Sequence, residues 1–345
     1  MNELTSSVPP SSTARRAEED HHSPFERKHS FTLIELVVVI AIIACLPGML
    51  LTAQDRANKG NSLFSKEKNM KDGIILWEAH RAGAGGVELP ESCLAAFEYG
   101  WSMGGRPEAD VNITSDGVMV SLHDPTLDRI CRNLPEHLRG RSISEITWAE
   151  LQTVDIGRED FPDQHVASLE TLFSILRSHP ERNMVIDYKR VKISLLAEMI
   201  NRYGVAGQIT FASYNRAHLR EFKRYAPAAR TKIWLGGSAE SIMKQFHTLE
   251  QERFEGITEV QLHLNDMRGK KWRYALDPEF VAEALRITKK HGVLLQVLPW
   301  KFERKDLFEI LDLGVRSFAV DYPNKFKKIC ADYFSRKNRR QAVPD

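Results

Sequence analysis

Four short stretches carry side chains able to do chemistry together: His80-Arg81, Glu108-Ala109-Asp110, His123-Asp124 and Asp187-Tyr188-Lys189. His80 and His123 can each exchange a proton near neutral pH, so two of them flanking a phosphoryl group suit general acid-base catalysis. Glu108, Asp110 and Asp187 offer hard oxygen donors, which favour Mg²⁺ or Ca²⁺ over zinc. Arg81 and Lys189 supply positive charge for an anion such as phosphate.

These groups need elements that bring them together. β-rich runs are predicted at 74–78, 108–113, 118–122, 184–188, 209–214, 231–235, 259–264, 294–298 and 317–320. Helix-sized amphipathic segments at 91–103, 168–177, 195–203, 217–225, 278–291 and 305–313 lie between most of them. Such alternation predicts a parallel α/β barrel or a doubly wound sheet. No Gly-rich nucleotide-binding motif opens a helix, which argues against a nucleotide-binding protein. Nine strands exceed an eight-stranded barrel by one, and the excess lies at 108–123. There Asp116-Gly117 signals a two-residue hairpin turn rather than a helical crossover. The expected fold is a (β/α)8 TIM-type barrel with a β-hairpin insertion after the second strand, which accounts for the ninth run. A two-residue turn would set Asp110 directly opposite His123. Glu108 and Asp110, two apart, would share one strand face. Barrel active sites form at the C-terminal strand ends, where all of these residues fall.

The bulk composition is that of a globular protein, and the length suits one large domain or two ordinary ones. The 345 residues are 42% hydrophobic and 27% charged, with 15 prolines and a formal charge of +2. That excludes collagen, wholesale disorder and a polytopic membrane protein, and it is too balanced for an obligate nucleic-acid binder. Cys45, Cys93, Cys131 and Cys330 form no CxxC pair, so neither a zinc ribbon nor a dithiol redox site is indicated. Cys93 and Cys131 both follow the chemical motifs, leaving core positions, surface positions or a mutual disulfide as alternatives.

The N-terminus differs from the rest. Residues 1–30 are polar, and an apolar helix is expected at 31–52, long enough to span a bilayer core of about 30 Å. Arg15, Arg16, Arg27 and Lys28 would stay in the cytoplasm. Residues 53–72 read as a linker, 73–330 as the barrel and 331–345 as a basic tail, a solvated charged face. Glu35 is the one charge in the apolar run, and an acidic residue near the start of a membrane helix calls for a partner.

The run from Ser30-Phe31-Thr32-Leu33-Ile34-Glu35 through Ala44 resembles the N-terminus of type IV prepilins and pseudopilins. The resemblance implies a peptidase cut between Ser30 and Phe31, with Ser30 standing where that family usually has Gly. Glu35 would be the carboxylate that pairs with a neighbouring subunit's N-terminus. Prepilin peptidase and pilin-like subunits become implied partners. A single-pass protein of the bacterial cytoplasmic membrane follows, with its C-terminal domain on the outer, periplasmic side.

The motifs Glu78-Ala79-His80-Arg81, Leu89-Pro90-Glu91-Ser92, Glu108-Ala109-Asp110-Val111, Thr114-Ser115-Asp116-Gly117 and His123-Asp124-Pro125 through Arg129 resemble the glycerophosphodiester phosphodiesterase family. Ser144-Glu145-Ile146-Thr147, Ser168-Leu169-Glu170-Thr171-Leu172, Asp187-Tyr188-Lys189 and Ala319-Val320-Asp321-Tyr322-Pro323 continue the match over about residues 73–325. The resemblance implies His80 and His123 as the acid-base pair, with Glu108 and Asp110 as metal ligands. It puts Asp187 in place of a third ligand that is usually Glu, and makes Arg81 and Lys189 the phosphate-binding cations. Glu91 would support Arg81. The implied reaction is metal-dependent hydrolysis of a glycerophosphodiester or phospholipid-derived diester. Ala82 replaces a usual Gly, Ser92-Cys93 replaces Asn-Thr, and Leu298-Pro299-Trp300-Lys301 displaces the family's Trp by two positions. Two other readings compete: a lipid-acting relative in the manner of a phospholipase or sphingomyelinase D, and a catalytically inactive pseudopilin-type structural protein.

Overall fold

The computed structural model describes residues 75–83 and 88–341. The expected leader, apolar helix and linker, with Ser30, Phe31 and Glu35, lie outside the described residues. Among those described, no helix is long and apolar enough to cross a membrane.

Eight parallel strands close into a barrel: β1 (Leu76–Ala79), β2 (Arg106–Ile113), β4 (Met184–Tyr188), β5 (Ile209–Ser213), β6 (Arg230–Leu235), β7 (Glu259–Leu264), β8 (Leu294–Pro299) and β9 (Ser317–Val320). β1 completes the ring by pairing with both β9 and β2. β3 (Met119–Ser121) is the antiparallel partner of β2's distal half, so the expected hairpin is present. Its register differs from expectation by one residue. Val111 pairs with Ser121 and Ile113 with Met119, because the loop holds three residues, Ser115 to Gly117, rather than two. Thr114 and Val118 close it: the Thr114 N–H donates to the Val118 carbonyl at 3.0 Å, and the Val118 N–H donates to Thr114 Oγ1 at 2.9 Å. Gly117 takes φ +87° to end the loop, a conformation costly for any residue with a Cβ. The Asp110 carbonyl consequently receives the Leu122 N–H at 2.7 Å, so His123 is not Asp110's cross-strand partner. A one-residue slip flips side-chain facing, and His123 reaches the site only because β3 has already ended at Ser121.

Helices wrap the barrel: α1 (Leu94–Ser102), α2 (Trp148–Gln152), α3 (Leu169–Ser178), α4 (Ile193–Tyr203), α5 (Arg216–Tyr225), α6 (Ala239–Gln251), α7 (Pro278–Lys290), α8 (Arg304–Asp312) and α9 (Pro323–Gln341). Their inward faces follow helical spacing, as with Ile193, Leu196, Ala197 and Ile200 of α4, all buried. Side-chain caps start several of them; Ser168 Oγ accepts the Thr171 N–H at 3.1 Å and Ser238 Oγ the Ser241 N–H at 3.2 Å. α9 runs through residue 330, where the sequence had suggested a domain end, and buries Phe326, Ile329, Cys330 and Tyr333. The supposed tail is thus in part a barrel helix with an apolar stripe. Cys93, Cys131 and Cys330 are free thiols, and no disulfide joins Cys93 to Cys131. Cys93 Sγ donates to the Pro90 carbonyl and Cys131 Sγ to the Asp155 carbonyl.

The apolar core lies between barrel and helices, with Phe211 of β5 stacked on Phe222 of α5 at 4.0 Å. The barrel interior is polar instead of the usual Val, Ile and Leu layers. Arg106 and Arg230 both bind Glu259. Above them Lys232 Nζ donates to both Glu78 oxygens at 2.7 Å.

Candidate active site

Strand register alone gathers the acidic groups. Asp110 of β2 lies level with Asp187 of β4, and Glu78 of β1 with Arg106 of β2, which carries His80 to the height of Glu108. Glu108, Asp110 and Asp187 are all buried. Lys189 Nζ sits between two of them, 3.0 Å from Asp110 Oδ1 and 2.5 Å from Asp187 Oδ2. Trp234, at the end of β6, donates its Nε1–H to Asp187 Oδ1 at 3.0 Å. Buried Oδ2 of Asp110 has no hydrogen-bond partner.

His80 projects from the end of β1. Its Nδ1–H donates to Asp321 Oδ1 at 2.6 Å, and Nε2 lies 3.8 Å from Glu108 Oε2. Burial by itself lowers this imidazole, but the Asp321 hydrogen bond and the charges of Glu108, Asp321 and Asp110 outweigh it and raise the pKa to about 9. His123 is held by its neighbour, Nδ1–H donating to Asp124 Oδ1 at 2.6 Å. Burial, then the positive charges of Arg81 and Lys189, push it below its ordinary value against the pull of Asp124. Thus the two imidazoles are driven apart, one toward the protonated form and one toward the neutral form, as suits an acid-base pair.

Arg81 and Ala82 take left-handed backbone conformations, φ +54° and +59°. That turn directs the Arg81 N–H to Glu108 Oε2 at 3.1 Å. Strain of this kind persists only where the surroundings hold it, and it clusters at functional sites. Buried Glu91 lies 3.5 Å from Arg81 Nη1 and receives two hydrogen bonds from Arg129, at 3.0 and 2.6 Å. Arg129 also binds Asp124. One guanidinium thereby ties the support of Arg81 to the support of His123. Arg81 Nε is buried without a partner, which leaves a donor for an anion.

The donor set fits a hard divalent cation in type: three carboxylates, one with an unused buried oxygen. Burial and the neighbouring carboxylates push Glu108 and Asp110 above their ordinary values, a repulsion that added positive charge would relieve. Among the described residues no three such groups stand at metal-ligand spacing, and Lys189 and Trp234 occupy both oxygens of Asp187.

All seven expected residues of the acid-base, metal and phosphate roles therefore meet at one rim, with Glu91 behind Arg81. Sequence reasoning assigned no role to Asp321, Asp124, Arg129, Trp234 or His263. Asp321, Asp124 and Arg129 stood inside quoted motifs; Trp234 and His263 carried only the period-two signal of a strand face. The displaced Trp300 meets His80 edge-on at 5.6 Å.

The family model described as the glycerophosphoryl diester phosphodiesterase family matches residues 80–325, which include every one of these groups. The chain belongs to that family. It is a phosphoric diester hydrolase. A glycerophosphodiester phosphodiesterase of Bacillus subtilis is 23% identical over 323 residues, covering 86% of this chain and 98% of the relative. One from Caldanaerobacter subterraneus is 25% identical, covering 71% and 93%. The fold matches an Oleispira antarctica phosphodiesterase solved with the product sn-glycerol-3-phosphate, at TM-score 0.58 and 18% identity, covering 74% of this chain and 96% of that one. A second family model, the prokaryotic N-terminal methylation motif, matches residues 27–50 of this phosphodiesterase.

Proposed function

We propose that this phosphodiesterase hydrolyses glycerophosphodiesters to glycerol phosphate and an alcohol, with a divalent cation and with His80 and His123 as the acid-base pair. The observation that carries the reading is the pair of imidazoles, each held through Nδ1 by its own aspartate at 2.6 Å, beside Arg81 and Lys189. An aspartate on Nδ1 fixes the tautomer and leaves Nε2 to exchange protons with substrate.

Arg81, held by Glu91, and Lys189 bind the non-bridging phosphoryl oxygens. Glu108 and Asp110, with Asp187 as the third candidate, would hold Mg²⁺ or Ca²⁺, whose charge when bound would neutralise a non-bridging oxygen. One histidine takes the proton of the nucleophile, a water or the substrate's own glycerol hydroxyl. The other gives a proton to the departing alcohol oxygen, so the bond breaks to a neutral alcohol. When the glycerol hydroxyl attacks, water then opens the cyclic diester by the same exchange in reverse.

Residues 31–52 act as the membrane anchor in this reading. Cleavage before Phe31 by a prepilin peptidase, with Glu35 meeting a pilin-like subunit, explains an acidic residue in an apolar run. The barrel would then lie outside the cytoplasmic membrane.

The test is release of glycerol phosphate from a glycerophosphodiester by the purified full chain. His80→Ala and His123→Ala should each lower kcat by at least about a hundredfold. Near-normal turnover in either variant overturns the assignment.

A further inference from the structure

His263 has no part in the chemistry above, yet it stands in the site. It occupies the interior face of β7, two residues past Gln261, and is half-buried. Its ring stacks on Trp234 at 5.3 Å and 7°, and meets the Trp300 ring edge-on at 5.4 Å. The opposite neighbour of Trp300 is His80, at 5.6 Å. His263 is therefore one aromatic ring away from the acid-base pair.

A hydrogen-bond relay fixes its tautomer. Lys232 can only donate, and its Nζ lies 3.4 Å from Gln296 Oε1. The Gln296 amide nitrogen, 3.5 Å from the Phe318 carbonyl, confirms that orientation of the amide. Gln296 Oε1 also takes the Gln261 Nε2–H at 2.6 Å, so Gln261 turns its oxygen to His263. His263 Nε2, 3.1 Å from Gln261 Oε1, must then be the protonated nitrogen. With the imidazole neutral, Nδ1 is left as an unprotonated acceptor. Burial, with the positive charges of His80 and Lys232, supports that neutrality by pushing the ring down to about 4. No hydrogen bond from a described residue reaches Nδ1. Residue 236 is glycine beside it; a Cβ there would stand 3.0 Å from Nδ1 and cover it.

We propose that His263 is a specificity-determining residue that accepts, at Nδ1, a hydrogen bond from a hydroxyl of the substrate's glycerol moiety. An unprotonated nitrogen repels phosphate oxygens and needs a donor. The positive charges of His80 and Lys232 disfavour a cationic headgroup there, which leaves a neutral hydroxyl. The faces of Trp234 and Trp300 suit the C–H edges of a small polyol.

This rests on the glycerophosphodiester reading, and a binding measurement separates the two. Calorimetry on the full chain would compare glycerol phosphate with propyl phosphate, which differ only in two hydroxyls. The wild-type protein should prefer glycerol phosphate by about tenfold, the scale of one neutral hydrogen bond. His263→Phe and Gly236→Ala, which removes and covers the acceptor respectively, should each bring that ratio close to one. Equal binding of the two ligands by the wild type, or an unchanged ratio in both variants, overturns the proposal. Nitrogen NMR of the imidazole should show Nε2 protonated and Nδ1 bare, with Gln261→Met mixing the two tautomers. A protonated Nδ1 in the wild type also overturns it. Failure to hydrolyse any glycerophosphodiester would instead count against the proposed reaction and leave the binding ratio informative.

Discussion

Replacing Lys232 by Met should expose how the barrel tolerates charge beneath its active site. Lys232 and Glu78 are essentially inaccessible, and both carboxylate oxygens lie 2.7 Å from Nζ. Breaking a buried pair by removing one partner costs about 3–5 kcal/mol, because the remaining charge stays desolvated. Exchanging both partners for apolar side chains of similar volume is close to neutral. Lys232→Met should therefore destabilise the protein by about 3–5 kcal/mol at neutral pH, and Glu78→Leu with Lys232→Met by less than about 2 kcal/mol. Urea unfolding of the full chain in mild detergent, followed by tryptophan fluorescence, gives both values from midpoints at constant slope. The pH dependence has a definite sign. Burial pushes the Glu78 carboxyl up, and Lys232 opposes that push. Without Lys232 the folded-state pKa rises further above the unfolded one, so the protonated form favours folding. The variant's deficit should shrink as pH falls toward 5 and grow as pH rises through the folded pKa. A Lys232→Met variant within about 1 kcal/mol of wild type, or a double variant less stable than either single one, would refute this reasoning.

Chelation should abolish turnover and Mg²⁺ or Ca²⁺ should restore it, with Asp187→Ala raising the metal concentration required and Asp187→Glu tolerated; full activity in excess chelator would remove the metal from the reading. Arg129→Ala leaves Glu91 with Arg81 alone at 3.5 Å and Asp124 with His123 alone, so KM should rise about threefold to tenfold, about 1 kcal/mol for a partly exposed pair. An unchanged KM would show that Arg81 and His123 are positioned without it. Membranes of the native host should contain a form beginning at Phe31, because an uncut anchor leaves Glu35 as a cost of up to about 3 kcal/mol. N-terminal sequencing that finds residues 1–30 attached reduces the segment to an ordinary signal anchor, and a soluble cytoplasmic protein sinks both versions.

Local pattern was enough for the strands, most of the helices and the chemical groups near strand ends. The β4, β7 and β9 limits coincide with the predicted runs, since buried parallel strands are short apolar-rich stretches bounded by turns. His80, Glu108 and Asp110 could be placed on one rim because parallel strands all end on the same side. The hairpin was legible and its register was not. Whether Asp116-Gly117 closes a two- or three-residue loop depends on Thr114, whose hydroxyl bonds both Asp116 and the Val118 N–H. α9 read as a charged tail because its lysines and arginines outnumber a stripe that is apolar only when laid against the barrel. Ring closure decided the rest. Asp321 lies 241 residues from His80 and meets it because β9 pairs with β1. Gln296, Gln261 and His263 form a relay because β7 pairs with β8 in the register that sets Gln261 level with Gln296, both turned into the barrel. Sequence spacing carries information within one strand or hairpin, whereas a hydrogen bond between strands is set by the register of the whole ring.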